Sequence, residues 1–151
     1  MAQRGIREYH AKKMLARHLP TYLGKSMGYD GKIILVDQNT DWKQLLKDNP
    51  WLKKELLVAK PDQLFGKRGK HGLIFAGKHF DETKDWIMER MGKVTKVGEI
   101  TGTLTHFMIE PFVKHEKEYY IAIKTQAEGD VMYFSLEGGI NVEENWDKVV
   151  Q

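Results

Sequence analysis

The sequence predicts a mixed α/β (α+β) fold in which helices flank a mixed or antiparallel sheet. Three segments carry apolar residues at helical spacing, and several short β-branched runs are bounded by turn residues. Late in the chain, two alternating runs are separated by a tight turn, which is typical of an antiparallel hairpin. The 151 residues provide room for about one domain, or for two small lobes.

The first half of the chain is predicted to begin with a helix that ends at Pro20. Lys12 is expected on its polar side, opposite an apolar stripe formed by Ala11, Met14, Leu15, His18 and Leu19. A strand at Lys32–Val36 follows. Next come a helix with Thr40 as its N-cap and Pro50 at its end, and a strand at Leu56–Lys60.

The second half is predicted to contain one helix among several strands. The strand Leu73–Ala76 leads into a helix that Asp81 caps and Gly92 stops. The remaining strands are His106–Val113, Glu118–Lys124 and Val131–Leu136, the last two joined by the turn Glu128–Asp130. Val149–Gln151 is predicted to bring neither a closing strand nor a helix, as if the fold continued beyond it.

The composition excludes several classes of protein. Apolar residues make up 41% of the chain and aromatic residues 11%, as in a folded protein. The absence of cysteine excludes a disulfide framework, a thiolate zinc site and a cysteine nucleophile. No run of about 18 apolar residues and no signal-peptide core is present, so we expect a cytoplasmic protein. The formal net charge of +3 suits a phosphate-bearing ligand and nucleic acid equally well.

The segment that follows the strand residue Lys60 is a candidate phosphate-binding loop. Gly66–Gly72 contains three glycines, and Lys67, Arg68 and Lys70 add positive charge. Glycines allow backbone N–H groups to approach an anion closely. The Walker motif GxxxxGK[ST] is absent, and a solvated basic turn explains the same local pattern equally well.

Two further segments are candidates for recognising the rest of a nucleotide. The proline in Ile109–Val113 frees backbone groups beside an apolar wall, which suits adenine, although a kinked edge strand is the simpler interpretation. Glu118 opens the next strand and has the acceptors to bind two sugar hydroxyls, although a surface glutamate is the default. The glycines of Glu137–Gly139 indicate a sharp turn that requires no function.

Catalytic and metal-binding motifs do not emerge from the sequence. The six histidines form no HxxxH or HExxH pair, which argues against a metal site built by the protein. Ser26 and Ser135 do not lie in a GxSxG motif, so a serine hydrolase is disfavoured.

These segments together resemble the nucleotide-binding subunits of succinyl-CoA synthetase and its relatives, and most closely the ATP-citrate lyase family. The resemblance covers essentially the whole chain, in order and with matching spacing. The stretches that carry it are Ile6–Leu15, Thr40–Trp42, Asn49–Leu52, Leu57–Leu73, Phe107–Val113, Glu128–Asp130 and Glu137–Gly139. It implies that residues 1–151 are the N-terminal part of an ATP-grasp fold, from the smaller (beta) subunit of a prokaryotic two-subunit form.

The resemblance also implies which residues hold ATP. The matched positions are Lys60 and the loop residues Arg68 and Gly69 at the phosphates, Glu110, Pro111 and Val113 at adenine, and Glu118 at the ribose. No catalytic or metal-binding residue is implied within this chain. The second ATP-grasp lobe, with the Mg²⁺ ligands, and the citrate-binding domain are expected beyond Gln151.

The activity implied by the resemblance converts citrate, CoA and ATP into acetyl-CoA, oxaloacetate, ADP and phosphate. ATP phosphorylates a histidine, which the resemblance assigns to a catalytic (alpha) subunit that also carries the cleavage module. The implied enzyme is therefore a hetero-oligomer, and we expect no turnover by residues 1–151 alone.

Other functions remain open at this point. Citryl-CoA synthetase shares the same ATP-grasp chemistry, and nothing in these residues separates it from a lyase. Succinyl-CoA synthetase fits less well, because Phe65–Gly72 and Asn49–Leu52 favour the citrate branch. A nucleic-acid-binding module that uses Lys67–Lys70 is disfavoured, because Glu110 and Glu118 punctuate the strands where phosphates would require Lys or Arg.

Overall fold

The computed structural model describes residues 5–24, 29–65, 68–139 and 142–151. The chain divides into two compact units, an N-terminal unit, Met1–Phe112, and a C-terminal unit, Val113–Gln151. The helices of the described residues are α1 (Glu8–Leu23), α2 (Trp42–Asp48) and α3 (Phe80–Arg90). Short 3₁₀ turns cover Pro50–Lys53, Gly69–His71 and Val142–Lys148.

The N-terminal unit is built around a four-stranded antiparallel sheet. Its strands lie in the order β1-β6-β2-β3, and a separate hairpin is formed by β4 and β5. The bounds are β1 Ile34–Asp37, β2 Leu57–Pro61, β3 Phe75–Lys78, β4 Val94–Val97, β5 Ile100–Thr103 and β6 His106–Pro111. This sheet with flanking helices confirms the predicted fold class.

The core of the N-terminal unit lies between the sheet and α3. Along β2, Leu57 and Ala59 are fully buried while the residues between and after them are half-buried, as expected for a strand with one face on the core. From α3, Ile87 is fully buried and Trp86 stacks on Phe75 at a centroid distance of 5.2 Å. With Phe80 and Thr83, these residues form the buried face of α3.

The caps of α2 and α3 lie close to the predicted positions but on other residues. Asp41, rather than Thr40, caps α2 by accepting hydrogen bonds from the backbone N–H groups of Lys43 and Gln44. The Thr40 side chain instead accepts a hydrogen bond from the backbone N–H of Asp37. His79, rather than Asp81, is the N-cap of α3. Neighbouring polar residues are all competent caps, so composition alone does not choose among them.

Helix α1 differs from the prediction in its end and in its inward face. It continues through Pro20 to Leu23, because the fixed φ of proline is itself close to helical and the residues after it keep their N–H donors. Met14 and Leu15, which the apolar stripe placed inward, are about half exposed. Lys12, expected on the outer side, is half-buried and contacts Glu110 of β6. Lys12 therefore faces the sheet, whereas Lys13 and Arg17 of the predicted polar side are exposed.

The remaining strands are shifted by one or two residues from the predictions. β1, β2 and β3 begin later than predicted and include Asp37, Pro61 and Lys78 at their ends. The hairpin β4–β5 was not predicted at all. Its signal was present as two short β-branched runs separated by Gly98 and Glu99, with Gly98 at a φ of 62°.

The C-terminal unit contains the predicted hairpin. Strands β7 (Tyr120–Gln126) and β8 (Gly129–Ser135) pair in antiparallel register through a two-residue turn. One face carries Tyr120 and Tyr133, and both rings lie against Trp146. Val150 forms a bridge to Phe134, so the chain does carry a closing contact that the sequence did not predict.

Candidate functional site

The register of the central strands places Lys60 and Glu110 on one face of the sheet. Lys60 lies on β2 and Glu110 on β6, where Glu110 is opposite Val58 and thus diagonal to Lys60. Both side chains point away from the core face defined by Leu57 and Ala59. The Lys60 Nζ atom lies 3.1 Å from Glu110 Oε1.

Glu8, in the first turn of α1, bridges the two cations that the sequence assigned to phosphates. Its Oε1 lies 2.8 Å from Lys60 Nζ, and its Oε2 accepts a hydrogen bond from Arg68 Nη2. Lys12, one turn along α1, lies 3.0 Å from Glu8 Oε1 and 2.6 Å from Glu110 Oε2. Together these five side chains form one ion-pair network. Sequence reasoning missed Glu8 and Lys12.

The network is sheltered enough for its charges to act strongly on one another. The side chains of Lys60 and Glu110 are 16% and 13% exposed, and that of Glu8 is 25% exposed. Burial by itself raises the pKa of Glu8, but attraction to Lys60 and hydrogen bonds from Lys60 and Arg68 outweigh it and lower this pKa to about 2. Burial lowers the pKa of Lys12, but the contact with Glu110 outweighs it, so this pKa is raised.

The start of α1 is held by a buried carboxylate at the end of β2. Asp62 is fully buried, and its Oδ1 accepts a hydrogen bond of 3.1 Å from the backbone N–H of Tyr9. Arg7 Nε lies 3.8 Å from Asp62 Oδ2. The first turn of α1, which carries Glu8, is therefore attached to the same strand that carries Lys60.

The described part of the glycine segment forms a tight turn between β2 and β3. Gly69 begins the 3₁₀ turn, and Gly72 ends it with a φ of 66°. Arg68 precedes the turn and donates a hydrogen bond of 2.7 Å from Nη1 to the Pro61 carbonyl. Gly66 and Lys67 lie outside the described residues. The structure brings Arg68 to Lys60 through Glu8, and it places the Gly69 backbone directly beside Arg68.

The predicted adenine-binding segment lies at the end of a central strand, not at a sheet edge. Opposite Glu110 and Pro111, β2 supplies Val58 and Leu57 as partners. On the other side, the first residue of β1 is Ile34, which pairs with Ile109. Among the described strands, none therefore lies beside Glu110 and Pro111 on that side. The edge-strand interpretation is wrong, because β6 lies between β1 and β2. The sequence could not show this, since strand order depends on pairing between distant segments.

Glu118 lies in the C-terminal unit, two residues before β7, beside the Glu137–Gly139 turn. Its backbone carbonyl accepts a hydrogen bond of 2.8 Å from the Gly138 N–H. Glycine is favoured at both positions, since a Cβ at Gly138 would lie 2.5 Å from the Tyr119 backbone and Gly139 has a φ of 88°. This turn was predicted from its glycines, but its contact with Glu118 was not.

The Glu118 carboxylate has a second partner in His115. His115 Nε2 lies 2.7 Å from Glu118 Oε1, and its Nδ1 lies 2.8 Å from the Val113 carbonyl oxygen. The hydrogen bond to Val113 and then the contact with Glu118 raise the pKa of His115. An open groove of about 670 Å³ is lined by Glu118, Tyr119 and the Glu137–Gly139 turn.

The described residues contain neither a membrane-spanning helix nor a metal-binding cluster. In that part of the chain, no helix is both long and apolar enough to cross a lipid bilayer. Within the same residues, no group of three or more His, Asp or Glu side chains is arranged to hold a metal ion.

The antiparallel sheet with flanking helices, and the basic turn that follows the strand of Lys60, are features expected of an ATP-grasp domain. The fold agrees with a solved structure of ATP citrate lyase from Methanothrix soehngenii in complex with citrate and coenzyme A, with a TM-score of 0.88 and 48% identity. Residues 2–151 match the family model described as the ATP-citrate synthase ATP-grasp domain. The chain belongs to this family.

Relatives in plants and mammals match over nearly the whole chain. The rice ATP-citrate synthase subunit alpha chain protein 1 is 42% identical over 99% of this chain. The human ATP-citrate synthase is 40% identical over 94% of it. The chain spans 36% of the rice protein, 13% of the human protein and 34% of the archaeal chain. These matches favour the citrate branch over the succinyl-CoA synthetase and nucleic-acid alternatives.

Proposed function

We propose that the chain is the ATP-binding part of an ATP-citrate lyase, which converts citrate, CoA and ATP into acetyl-CoA, oxaloacetate, ADP and phosphate. The observation that carries the proposal is the ion-pair network, in which Lys60 and Arg68 contact one carboxylate. Two cations held this close together suit a polyphosphate, whose negative charge they offset without reorganising. Family membership supports the same assignment.

The proposed roles of the site residues are those that the family resemblance implies. Lys60 and Arg68 bind the phosphates, with the Gly69 backbone beside them. The backbone of Glu110, Pro111 and Val113 meets adenine, and the lack of a described strand paired with Glu110 and Pro111 on the β1 side supports this. Glu118 accepts hydrogen bonds from the ribose hydroxyls, in keeping with its exposed carboxylate.

Mg²⁺, citrate, CoA and the catalytic histidine are assigned elsewhere in the proposed enzyme. Mg²⁺ would neutralise phosphate charge during transfer, and its ligands are proposed to lie beyond residue 151. A partner (alpha) subunit is proposed to supply the phosphohistidine and the cleavage module in a hetero-oligomer. The role left to this chain is to hold ATP in line for phosphoryl transfer, as a partial ATP-grasp domain without turnover of its own. The cytoplasmic location stays a prediction.

The first test is calorimetric binding of ATP and ADP with Mg²⁺ to the 151-residue chain. We expect Lys60→Ala and Glu118→Ala each to weaken ATP binding by roughly tenfold or more, because each removes a charged hydrogen-bonding group. Lys43→Ala and Glu128→Ala are matched controls, since both side chains are exposed and lie outside the proposed site. Equal affinity in all five proteins would contradict the site.

Citryl-CoA synthetase is the second candidate, because its ATP-grasp chemistry is the same. The product distinguishes the two. Complete protein supplied with citrate, CoA and ATP releases acetyl-CoA and oxaloacetate if it is a lyase, and citryl-CoA if it is a synthetase. The archaeal structure with citrate and CoA, named a lyase, favours the first outcome.

A further inference from the structure

We propose that Glu8 is a positioning residue of the ATP site, whose carboxylate fixes the spacing of Lys60 and Arg68 so that both cations meet the phosphates together. The inference rests on the proposed function and adds a residue that neither the sequence analysis nor the comparisons assign. It is carried by a single contact pattern. One Glu8 oxygen contacts Lys60 Nζ at 2.8 Å, and the other accepts a hydrogen bond from Arg68.

The Glu8 carboxylate is held from behind, which separates it from a mobile surface glutamate. The next residue, Tyr9, donates its backbone N–H to the fully buried Asp62. Lys12 joins Glu8 to Glu110, so a second side chain of α1 reaches the same strand face. The helical turn that carries Glu8 is therefore attached to β2 and β6, and moving that turn away from the cations would break the Tyr9–Asp62 and Lys12–Glu110 contacts.

Lys60 and Arg68 keep hydrogen-bond donors for a ligand while Glu8 is in place. Among the described residues, Lys60 uses two of its three ammonium N–H groups, on Glu8 and Glu110. Arg68 uses one group on the Pro61 carbonyl and one on Glu8, out of the five that a guanidinium carries. A carboxylate in contact with both cations also offsets their mutual repulsion. Glu8 therefore orders the pair without consuming its binding capacity.

The direction of the effect on affinity separates positioning from simple charge. Glu8 and Glu110 are negative, and Lys12, Lys60 and Arg68 are positive. Glu8→Gln removes one negative charge, so the net charge of the network becomes more positive by one. Electrostatics alone therefore predicts tighter ATP binding. Loss of the carboxylate contacts frees Lys60 and Arg68 to separate, so positioning predicts weaker binding.

The experiment measures calorimetric affinities of the 151-residue chain for MgATP and for adenosine. We expect Glu8→Gln to weaken MgATP binding by roughly tenfold and to leave adenosine binding unchanged, because adenosine lacks phosphates. Glu8→Asp keeps the charge but withdraws it by one methylene, and we expect a similar loss. Glu89→Gln removes the same charge on α3, where the side chain pairs with Arg90, and should bind as the unaltered chain does.

A double-mutant cycle tests whether Glu8 acts through Lys60. In a chain that already carries Lys60→Ala, we expect Glu8→Gln to weaken MgATP binding by much less than in the unaltered chain. Equal losses in the two backgrounds would overturn the inference.

Two further results would also overturn it. MgATP binding by Glu8→Gln that is equal to or tighter than that of the unaltered chain would show that Glu8 only competes with phosphate. Parallel loss of MgATP and adenosine binding would show a general structural role. If the unaltered, folded chain binds neither ligand, the proposed function fails first and the role of Glu8 fails with it.

Discussion

Two carboxylates, one in each unit, are held in opposite ways. Glu8 in the N-terminal unit is three-quarters covered and surrounded by Lys12, Lys60 and Arg68. Glu118 in the C-terminal unit is about half exposed. It contacts His115 and lies beside the turn that contains Gly138 and Gly139. Ion pairs with three cations hold the first carboxylate, whereas a tightly packed turn and a single histidine hold the second.

The difference indicates what each unit tolerates. The N-terminal unit has a buried apolar core, so we expect it to stay folded when one charge of the ion-pair network is removed. In the C-terminal unit, Ser135 is the one described residue that is buried, and the turn beside Glu118 relies on close backbone packing. We therefore expect the Glu118 region to respond most to glycine substitutions, and the Glu8 region to respond most to acid.

The largest expected effect is that of Gly138→Ala. Its Cβ would lie 2.5 Å from the backbone of Tyr119, which no side-chain rotation relieves. We expect destabilisation of the C-terminal unit by about 3 kcal/mol, the range of strong backbone strain. Hydrogen exchange of the β7 and β8 amides measures this unit separately.

Gly102→Ala is the control for that substitution. Gly102 lies on β5, has no positive φ, and an added Cβ there would meet open space. We expect a change in stability within about 0.5 kcal/mol. Similar exchange rates of the β7 and β8 amides in Gly138→Ala and Gly102→Ala would show that the packing around Gly138 does not stabilise the C-terminal unit.

The next effect concerns acid and the N-terminal unit. The pKa of Glu8 is lowered from 4.5 to about 2, so the folded state binds its proton less readily than the unfolded chain does. The stability from this group is fully present above pH 4.5 and is lost as the pH falls through about 2. At 1.36 kcal/mol per pH unit, the lowering from 4.5 to about 2 amounts to about 3 kcal/mol.

Urea unfolding at a series of pH values measures this contribution. Glu8→Gln should remove it, so its unfolding free energy should vary less over the same range. Glu89→Gln, exposed on α3, should follow the unaltered chain. If the unfolding free energy of Glu8→Gln falls with acid as steeply as that of the unaltered chain, other carboxyl groups carry the acid sensitivity.

The fold class was predictable because local periodicity specifies most elements. The hydrophobic spacing of α3 and the alternation around Tyr120 are local properties, and both were confirmed. Helix α1 was misassigned because its inward side is set by ion pairs with distant residues, such as the one between Lys12 and Glu110, which are 98 positions apart. A periodicity argument assigns apolar residues inward and has no term for such pairs.

Candidate site residues could be named from the sequence, but their geometry could not. Lys60, Arg68 and Glu110 were chosen from local composition and family resemblance, and the structure joins all three in the ion-pair network. Glu8 was missed because a single glutamate in a helix carries no local signal. The lack of a described strand paired with Pro111 on the β1 side was also not predictable, since it depends on β1 beginning opposite Ile109.

The smallest expected effect is the titration of His115, which tests the C-terminal side of the contrast. The hydrogen bond to the Val113 carbonyl and the contact with Glu118 raise its pKa. The stabilising contribution is therefore present below the ordinary value of 6.5 and is lost as the pH rises through the raised pKa. In Glu118→Gln this pKa should fall but remain somewhat raised, because the Val113 contact persists.

Proton NMR of the His115 ring from about pH 5 to about pH 8 follows this titration directly. Glu116→Gln is the matched control, because it removes the same charge beside His115 in sequence but leaves the Glu118 contact in place. An equal fall in both variants would mean that His115 senses general negative charge rather than the Glu118 carboxylate. In that case backbone shape alone, through Gly138 and Gly139, would hold Glu118 in position.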